Sequence, residues 1–295
     1  MSIKLIVSDM DGTLLNEKVE ITDRVSEAIL RAQDAGIEFA VATGRTVSSG
    51  YSLIKERGIA CPFIELNGAR YFDENEQLHY TKDMNKEDVQ KLIHILEYYE
   101  VNNEFLTQKG AYSKRTLNEY LMSFKSVFKN INKDMTDEEA IEYAAKRMDD
   151  FNLNTVSDFS FLYQDPNIQV LKTIAHAHDN LPLLNEIQTT IEKELPDLIV
   201  TSASTFSLEV NHVEANKGKA VAELAKERGY SADEVITIGD NINDLTMLQW
   251  ATHSYAVANA HTSAKEAAAY IAPSHADYAV AQIIERVIDG KSLRF

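Results

Sequence analysis

The 295-residue sequence contains few cysteines, prolines and glycines and no long apolar run, and each of these shortages excludes a class of protein. Its single cysteine, Cys61, cannot form a disulfide within the chain and leaves no thiol partner for a cysteine-based metal site. Five prolines and eleven glycines are too few for a long disordered or collagen-like tract. No apolar run approaches the roughly 18 residues of a membrane-spanning helix. These shortages exclude a disulfide scaffold, a fibrous repeat and a helical membrane protein.

Positive charge is also scarce, with 29 Lys and Arg against 46 Asp and Glu, a formal net charge of −17. This balance argues against nucleic acid and against an anionic membrane as partners. An anionic substrate would need a site that creates its own positive potential. The first apolar run ends at two aspartates after a few residues, which is not the pattern of a secretory leader. We therefore expect a protein of the reducing cytoplasm, either a monomer or a small homo-oligomer.

The order of candidate elements predicts an α/β fold whose core comes from both ends of the chain. Strands alternate with helices in both segments, as is typical of a parallel sheet. The candidate strands are 3–8, 37–42, 235–238 and 254–258, and the candidate helices are 22–36, 47–57 and 217–228.

The middle of the chain has a different pattern, with a hairpin at 71–80 followed by antiparallel and helical material. The candidate helices there span 85–99 and 183–195, with another beginning at 136, and strand-like runs lie within 168–174 and 198–210. We expect a core formed by residues 1–83 and 207–295, interrupted by an α+β domain at 84–206. The two crossings of an inserted domain would act as a hinge.

Four groups of polar residues fall at the ends of candidate core strands or at the start of a helix. They are Asp9 with Asp11, Thr43, Asp240 with Asn243 and Asp244, and Lys217. Open α/β sheets bind ligands at the carboxyl edge of their strands. Carboxylates such as Asp9 and Asp240 are hard oxygen ligands that suit Mg²⁺. The set therefore predicts a magnesium-dependent site for an anionic substrate.

These residue types together can carry out phosphoryl transfer. One carboxylate can attack phosphorus to give an aspartyl phosphate, while the Lys217 ammonium and the Thr43 hydroxyl hold phosphate oxygens. Asp11 lies past the strand end, where it can protonate the leaving oxygen and later activate water. Gly12 permits a sharp turn of the backbone at that point.

The same residues carry a resemblance to a known superfamily. The four motifs of the haloacid dehalogenase (HAD) superfamily resemble segments of this sequence, in the same order: Asp9-Met10-Asp11-Gly12-Thr13, Ala42-Thr43-Gly44-Arg45, Asn216-Lys217-Gly218, and Gly239-Asp240-Asn241-Ile242-Asn243-Asp244. The long gap between the second and third motifs is similar to that of the Cof-type, subclass IIB phosphatases, which carry an α/β cap domain there.

The resemblance implies a doubly wound, Rossmann-like parallel-sheet core with an inserted α+β cap that selects the substrate. It implies Asp9 as nucleophile and Mg²⁺ ligand, and Asp11 as acid/base, with the Asp11 backbone carbonyl on the metal. Asp240 would bind Mg²⁺, with Asp244 nearby or acting through water. The phosphate would be contacted by the Met10 backbone amide, Thr43, Gly44, Lys217 and Asn243. The implied substrates are small phosphorylated metabolites, such as sugar phosphates, pyridoxal phosphate or flavin mononucleotide.

Several residues keep two interpretations. Arg45, Asn211 and His212 are either substrate contacts or structural residues, and the sequence does not decide between these roles. His176 and His178 share a strand face, which we interpret as a polar face of the cap sheet because no third metal ligand is evident. An acidic helical section at 121–150 makes the cap longer than is usual in the family, and its role stays open.

Three functions compete for this sequence. The first is a Mg²⁺-dependent phosphatase acting on small phosphate esters. The second is a sugar phosphomutase, which must bind a second phosphate, although Arg115 and Arg147 are the only arginines between residues 84 and 206. The third is a non-catalytic regulator that binds a phosphometabolite, for which the acid/base at Asp11 would be unnecessary. We expect the phosphatase.

Overall fold

The computed structural model describes residues 3–116, 118–122, 136–150, 152–177, 180–204 and 207–295. The chain folds into two compact units, one made of Met1–Lys82 with Glu214–Phe295 and the other of Asp83–Val213. The second crossing therefore follows residue 213, and the predicted boundary at 206/207 is displaced. The reason is the strand Ser207–His212, which pairs antiparallel on both sides within the second unit's sheet.

The strands are numbered in chain order. They are β1 Leu5–Ser8, β2 Glu38–Ala42, β3 Phe63–Glu65, β4 Arg70–Phe72, β5 Leu78–Thr81, β6 Asn102–Thr107, β7 Gly110–Ser113, β8 Leu153–Thr155, β9 Val170–His176, β10 Leu198–Ser204, β11 Ser207–His212, β12 Val235–Gly239, β13 His253–Val257 and β14 Tyr270–Ala272.

The helices are numbered in the same way. They are α1 Asp23–Asp34, α2 Val47–Lys55, α3 Lys86–Tyr98, α4 Asp137–Asp150, α5 Phe161–Gln164, α6 Leu181–Glu194, α7 Lys217–Arg228, α8 Leu245–Trp250, α9 Thr262–Ala267 and α10 Ala279–Ile288. Within the described ranges, no helix is long and apolar enough to cross a membrane.

In the described part of the first unit, eight strands form a sheet in the order β14-β13-β12-β1-β2-β3-β4-β5. The pairs from β14 to β3 are parallel, and β4 and β5 add an antiparallel edge. Successive residues of β1 face opposite sides: Ile6 packs in a cluster with helices α1 and α10, and Val7 in a cluster with α7. Because both faces are covered, β1 is apolar along most of its length.

The sheet of the second unit has the order β10-β11-β9-β6-β7-β8, counting only described strands. Its pairs are antiparallel except for β7 with β8. An apolar cluster on one face includes residues of α3 and α6, such as Leu92 and Ile187. The predicted α/β fold class with a parallel-sheet core is confirmed.

Candidate active site

Three neighbouring parallel strands of the first unit end at the candidate site. The order β12-β1-β2 places the carboxyl ends of these strands side by side. Asp240 follows β12, Asp9 follows β1 and Thr43 follows β2. The Asp9 backbone N–H donates to the Ile238 carbonyl at 2.9 Å and so continues the pairing of β1 with β12 past the strand end. Sheet topology alone therefore brings residues from both ends of the chain to one edge.

The chain turns sharply directly after Asp9. The Leu15 N–H donates to the Met10 carbonyl at 2.9 Å and closes the turn, in which Gly12 has φ +75°. A Cβ atom on Gly12 would lie 2.7 Å from Asp240 Oδ2. Both the positive φ and this close approach require glycine. The turn thereby packs its backbone directly against the Asp240 carboxylate.

Asp244 organises the second acidic loop. Its Oδ2 accepts hydrogen bonds from the backbone N–H groups of Asp240 at 2.8 Å and Asn241 at 2.9 Å. A Cβ atom on Gly239 would lie 2.6 Å from Asp244 Cγ, so only glycine leaves room for this carboxylate. Asp244 is fully buried. Its position fixes the loop that presents Asp240.

Lys217 is a buried cation at the first position of α7. Its Nζ lies 2.5 Å from Asp9 Oδ1 and 2.6 Å from Asp244 Oδ1. Burial opposes the charged form, but Asp244 and Asp9 outweigh that effect and raise the pKa of Lys217. Asn216 caps the helix by accepting a hydrogen bond from the Lys219 N–H at 2.9 Å. Lys217 is therefore charged, and it is held against Asp9.

The carboxylates of Asp9, Asp240 and Asp244 form one cluster, with one oxygen from each lying within 4.8 Å of the others. Burial, followed by the charge of Asp244, raises the pKa of Asp240 to about 6. Burial likewise raises the pKa of Asp9, although Lys217 opposes the shift. A buried group of like charges is costly unless a cation joins it. Hard carboxylate oxygens in such a cluster suit a small divalent metal ion.

Asp11 and Arg45 form an ion pair beside this cluster. Arg45 Nε donates to Asp11 Oδ2 at 2.7 Å, and Arg45 Nη2 donates to Asp11 Oδ1 at 2.6 Å. The Asp11 side chain is 57% exposed, whereas the Arg45 side chain is 14% exposed. From the sequence, Arg45 was either a substrate contact or a structural residue. In the structure, its guanidinium contacts the carboxylate of Asp11, the predicted acid/base.

Asn67, a residue that sequence reasoning missed, contacts two of the predicted phosphate-binding residues, Thr43 and Asn243. Its N–H donates to the Thr43 carbonyl at 2.9 Å, and its Oδ1 accepts a hydrogen bond from Asn243 Nδ2 at 3.1 Å. Thr43 is fully buried, and its Oγ1 accepts a hydrogen bond from the Arg45 N–H at 3.1 Å. Gly44, between Thr43 and Arg45 in the sequence, is half-buried. The Met10 side chain is packed in the core. Asn67 thus joins the loops after β2 and β12.

Comparison with known proteins identifies the family of this chain. The family model for haloacid dehalogenase-like hydrolases matches residues 6–284. The chain belongs to this family. The predicted resemblance is thereby confirmed.

Two curated relatives of this hydrolase come from Bacillus subtilis strain 168. The 5-amino-6-(5-phospho-D-ribitylamino)uracil phosphatase YcsE is 26% identical, over 96% of this chain and 95% of the relative. Phosphatase YwpJ is 26% identical, over 97% of this chain and the full length of the relative. The solved structure of a haloacid dehalogenase-like hydrolase from B. subtilis aligns with a TM-score of 0.86 and 26% identity, covering 96% of this chain and 99% of that one.

Asn259 is a second residue of the hydrolase that sequence reasoning missed as a contributor to the site. It follows β13, and its Nδ2 donates to the Gly12 carbonyl at 2.8 Å. Its Oδ1 accepts from the His275 N–H at 3.1 Å. The signal for both Asn67 and Asn259 was available, because each is a polar residue that follows a core strand closely. Asn259 supports the turn that carries Asp11.

The other open residues lie in the second unit of the hydrolase. Asn211 and His212 end β11, and the Asn211 side-chain amide donates to the Leu171 carbonyl at 2.9 Å. His176 Nε2 lies 3.1 Å from Glu104 Oε1, which agrees with a polar sheet face. His178 lies outside the described residues. The acidic section at 121–150 is described only at 121–122 and 136–150, where α4 lies.

Proposed function

We propose that this hydrolase is a Mg²⁺-dependent phosphatase that cleaves small phosphate monoesters through an aspartyl phosphate on Asp9. The observation that carries the proposal is the buried contact of 2.5 Å between Lys217 Nζ and Asp9 Oδ1, within a cluster of further carboxylates. A lysine on the nucleophile can stabilise the charge that develops on a transferring phosphoryl group. The names of the relatives YcsE and YwpJ support the same class of reaction.

Asp9 and Asp240 would hold the Mg²⁺ ion, together with the Asp11 backbone carbonyl that the family pattern implies. When bound, the ion supplies positive charge that lets an anionic phosphate approach the acidic cluster. The oxygens of Asp244 already accept hydrogen bonds from Lys217 and from two backbone N–H groups. We therefore assign Asp244 the task of orienting Lys217 and the Asp240 loop.

The reaction would run in two steps. In the first, an oxygen of Asp9 attacks phosphorus, the bond from phosphorus to the ester oxygen breaks, and Asp11 gives its proton to the departing oxygen. In the second, water attacks the phosphorus of phospho-Asp9 and Asp11 takes up the proton, which releases inorganic phosphate and restores Asp9. Lys217, Thr43 and Asn243 would hold phosphate oxygens during both steps.

Substrate choice is a separate part of the proposal. We assign it to the second unit as a cap domain and propose small phosphorylated metabolites, such as sugar phosphates or the phosphates of cofactors and their precursors. YcsE is named for a phosphorylated ribitylaminouracil. At 26% identity, that name gives a starting point for a substrate panel. The panel would rank phosphate esters by kcat/KM.

The first experiment is hydrolysis of p-nitrophenyl phosphate with and without Mg²⁺. We expect activity with Mg²⁺, its loss with EDTA, and a fall of at least ~10⁴-fold in Asp9→Asn because the nucleophile is gone. Asp34→Asn, an exposed aspartate at the end of α1, is the matched control and should keep full activity. Full activity of Asp9→Asn would contradict the proposal.

Assays with a sugar phosphate in place of p-nitrophenyl phosphate distinguish the two alternatives. A phosphomutase would move phosphate within a sugar phosphate without releasing it. A non-catalytic regulator would bind a phosphate ester at saturating Mg²⁺ without turnover. Arg115, one of two arginines available for a second phosphate, is buried and donates to Glu104 Oε1. We therefore rank net phosphate release first.

A further inference from the structure

The contact between Arg45 and Asp11 has the geometry of a clamp. Two nitrogens of the guanidinium donate to two different oxygens of one carboxylate, at 2.7 and 2.6 Å. This bidentate arrangement fixes the plane of the carboxylate as well as its position. A single hydrogen bond would leave the plane free to rotate. The contact therefore determines the direction in which Asp11 can present a proton.

Arg45 is firmly anchored in the loop between β2 and α2. Its backbone N–H donates to Thr43 Oγ1 at 3.1 Å, and its Nη1 donates to the Ser49 carbonyl at 3.2 Å. Ser49 lies in the first turn of α2, which Thr46 caps by accepting a hydrogen bond from the Ser49 N–H. The guanidinium is thus fixed to α2, and the backbone of Arg45 is fixed to the buried Thr43 just after β2. Asp11, which is mostly exposed, is the partner that gains order from the contact.

Stability does not explain this arrangement. An ion pair with one exposed partner contributes little to folding, because water screens the charges and both side chains lose conformational freedom. Arg57 and Asp23 form an ion pair of that ordinary kind in the same unit, with the aspartate 86% exposed. The pair of Arg45 with Asp11 differs because it is bidentate and lies two residues from the proposed nucleophile.

We propose that Arg45 is a positioning residue, which orients the Asp11 carboxyl group toward the departing ester oxygen. The inference rests on the proposed phosphatase function and extends it. A protonated carboxyl group keeps acceptor capacity on both oxygens, so both contacts with the guanidinium can persist while Asp11 carries and transfers its proton. The proton then goes to the ester oxygen as the bond from phosphorus to oxygen breaks.

The effect of Arg45 on the rate should depend on how strongly the leaving group needs a proton. An alkyl alcohol needs a proton to depart, whereas p-nitrophenolate departs as a stable anion. The ratio kcat/KM reports only the steps up to departure of the leaving group, which separates this step from later hydrolysis of phospho-Asp9. Misplacing Asp11 should therefore lower kcat/KM for an alkyl phosphate and leave kcat/KM for p-nitrophenyl phosphate almost unchanged.

The experiment compares Arg45→Met, Arg45→Lys, Asp11→Asn and the control Arg57→Met with glycerol phosphate and p-nitrophenyl phosphate. We expect Arg45→Met to lose ~10-fold or more with glycerol phosphate and about twofold or less with p-nitrophenyl phosphate, a weaker form of the ~10²-fold loss in Asp11→Asn. Arg45→Lys should recover part of the loss. A double variant that combines Arg45→Met with Asp11→Asn should be no slower with glycerol phosphate than Asp11→Asn alone, because both changes remove the same proton transfer.

Three results would overturn the inference. Equal losses with both substrates would indicate that Arg45 contacts the phosphate or supports the fold. Additive losses in the double variant would separate Arg45 from Asp11. An unchanged kcat/KM for glycerol phosphate in Arg45→Met would show that Asp11 donates its proton without help from Arg45. Failure of the proposed function is a different outcome, since the unaltered protein would then hydrolyse neither substrate.

Discussion

At the scale of single residues, the site holds several carboxylates close together where they are partly or fully buried. Asp240 is half-buried next to Asp244, and burial followed by the charge of Asp244 raises its pKa to about 6 from the ordinary value of 3.8. Lys217 lies between Asp9 and Asp244 and offsets part of the repulsion. A cluster with three carboxylates and one ammonium keeps an excess of negative charge. That excess is what a divalent cation would neutralise.

Asp240 makes the stability of the metal-free protein depend on pH. Its folded pKa lies above its unfolded pKa, so the folded state binds the proton more tightly and loses this stabilisation as pH rises from about 4 to about 6. A shift of about two units corresponds to ~3 kcal/mol at most. With EDTA present, we expect the free energy of unfolding to fall more steeply over this range in the unaltered protein than in Asp240→Asn.

Urea unfolding at several pH values measures this difference. Asp34→Asn is the control, because an exposed carboxylate should leave the slope unchanged. Parallel pH profiles for the unaltered protein and Asp240→Asn would show that Asp240 titrates at its ordinary pKa.

Elements differ in how well the sequence predicts them. The helix at 217–228 is predicted at its observed bounds because Asn216 caps it and Gly229, with φ +74°, ends it. The predicted helix at 183–195 begins earlier, at Leu181, because Asn180 is the capping residue and accepts from the Leu183 N–H. Strands β6 and β14 were not predicted, since short strands depend on pairing partners that are distant in sequence.

The cap of α7 links a helix end to the site. Asn216→Ala removes the hydrogen bond to the Lys219 N–H and should lower the free energy of unfolding by about 1 kcal/mol. Activity should fall as well, because Lys217 is the first residue of this helix. Asn85→Ala is the matched control: Asn85 caps α3 in the second unit through the Asp88 N–H, so it should cost similar stability with little loss of activity.

Thermal unfolding and p-nitrophenyl phosphate hydrolysis on the same preparations test this prediction. If both variants lost activity equally, the position of Lys217 would not depend on the Asn216 cap.

At the scale of the whole molecule, the sequence separates groups that the fold unites. Asp9 and Lys217 are 208 positions apart, yet their side chains are in contact. The sequence predicted this meeting, because consecutive strand and turn signals place polar residues at one edge of a parallel sheet. It could not predict that Arg45 clamps Asp11 or that Asn67 joins Thr43 to Asn243, because those contacts depend on the exact paths of loops. The second crossing lies at 213/214 and not at 206/207, because Ser207–His212 pairs on both sides with strands of the second unit, and such pairing depends on residues distant in sequence.

The central claim is that Asp9 becomes covalently phosphorylated, and trapping that species tests it most directly. The protein would be mixed with a phosphate ester and Mg²⁺, quenched in acid within milliseconds, digested and analysed by mass spectrometry. The account predicts one phosphoryl group on the peptide that contains Asp9, released by hydroxylamine as expected for an acyl phosphate and missing in Asp9→Asn. Rapid phosphate release with no phosphoryl group on this peptide would contradict a phospho-Asp9 intermediate.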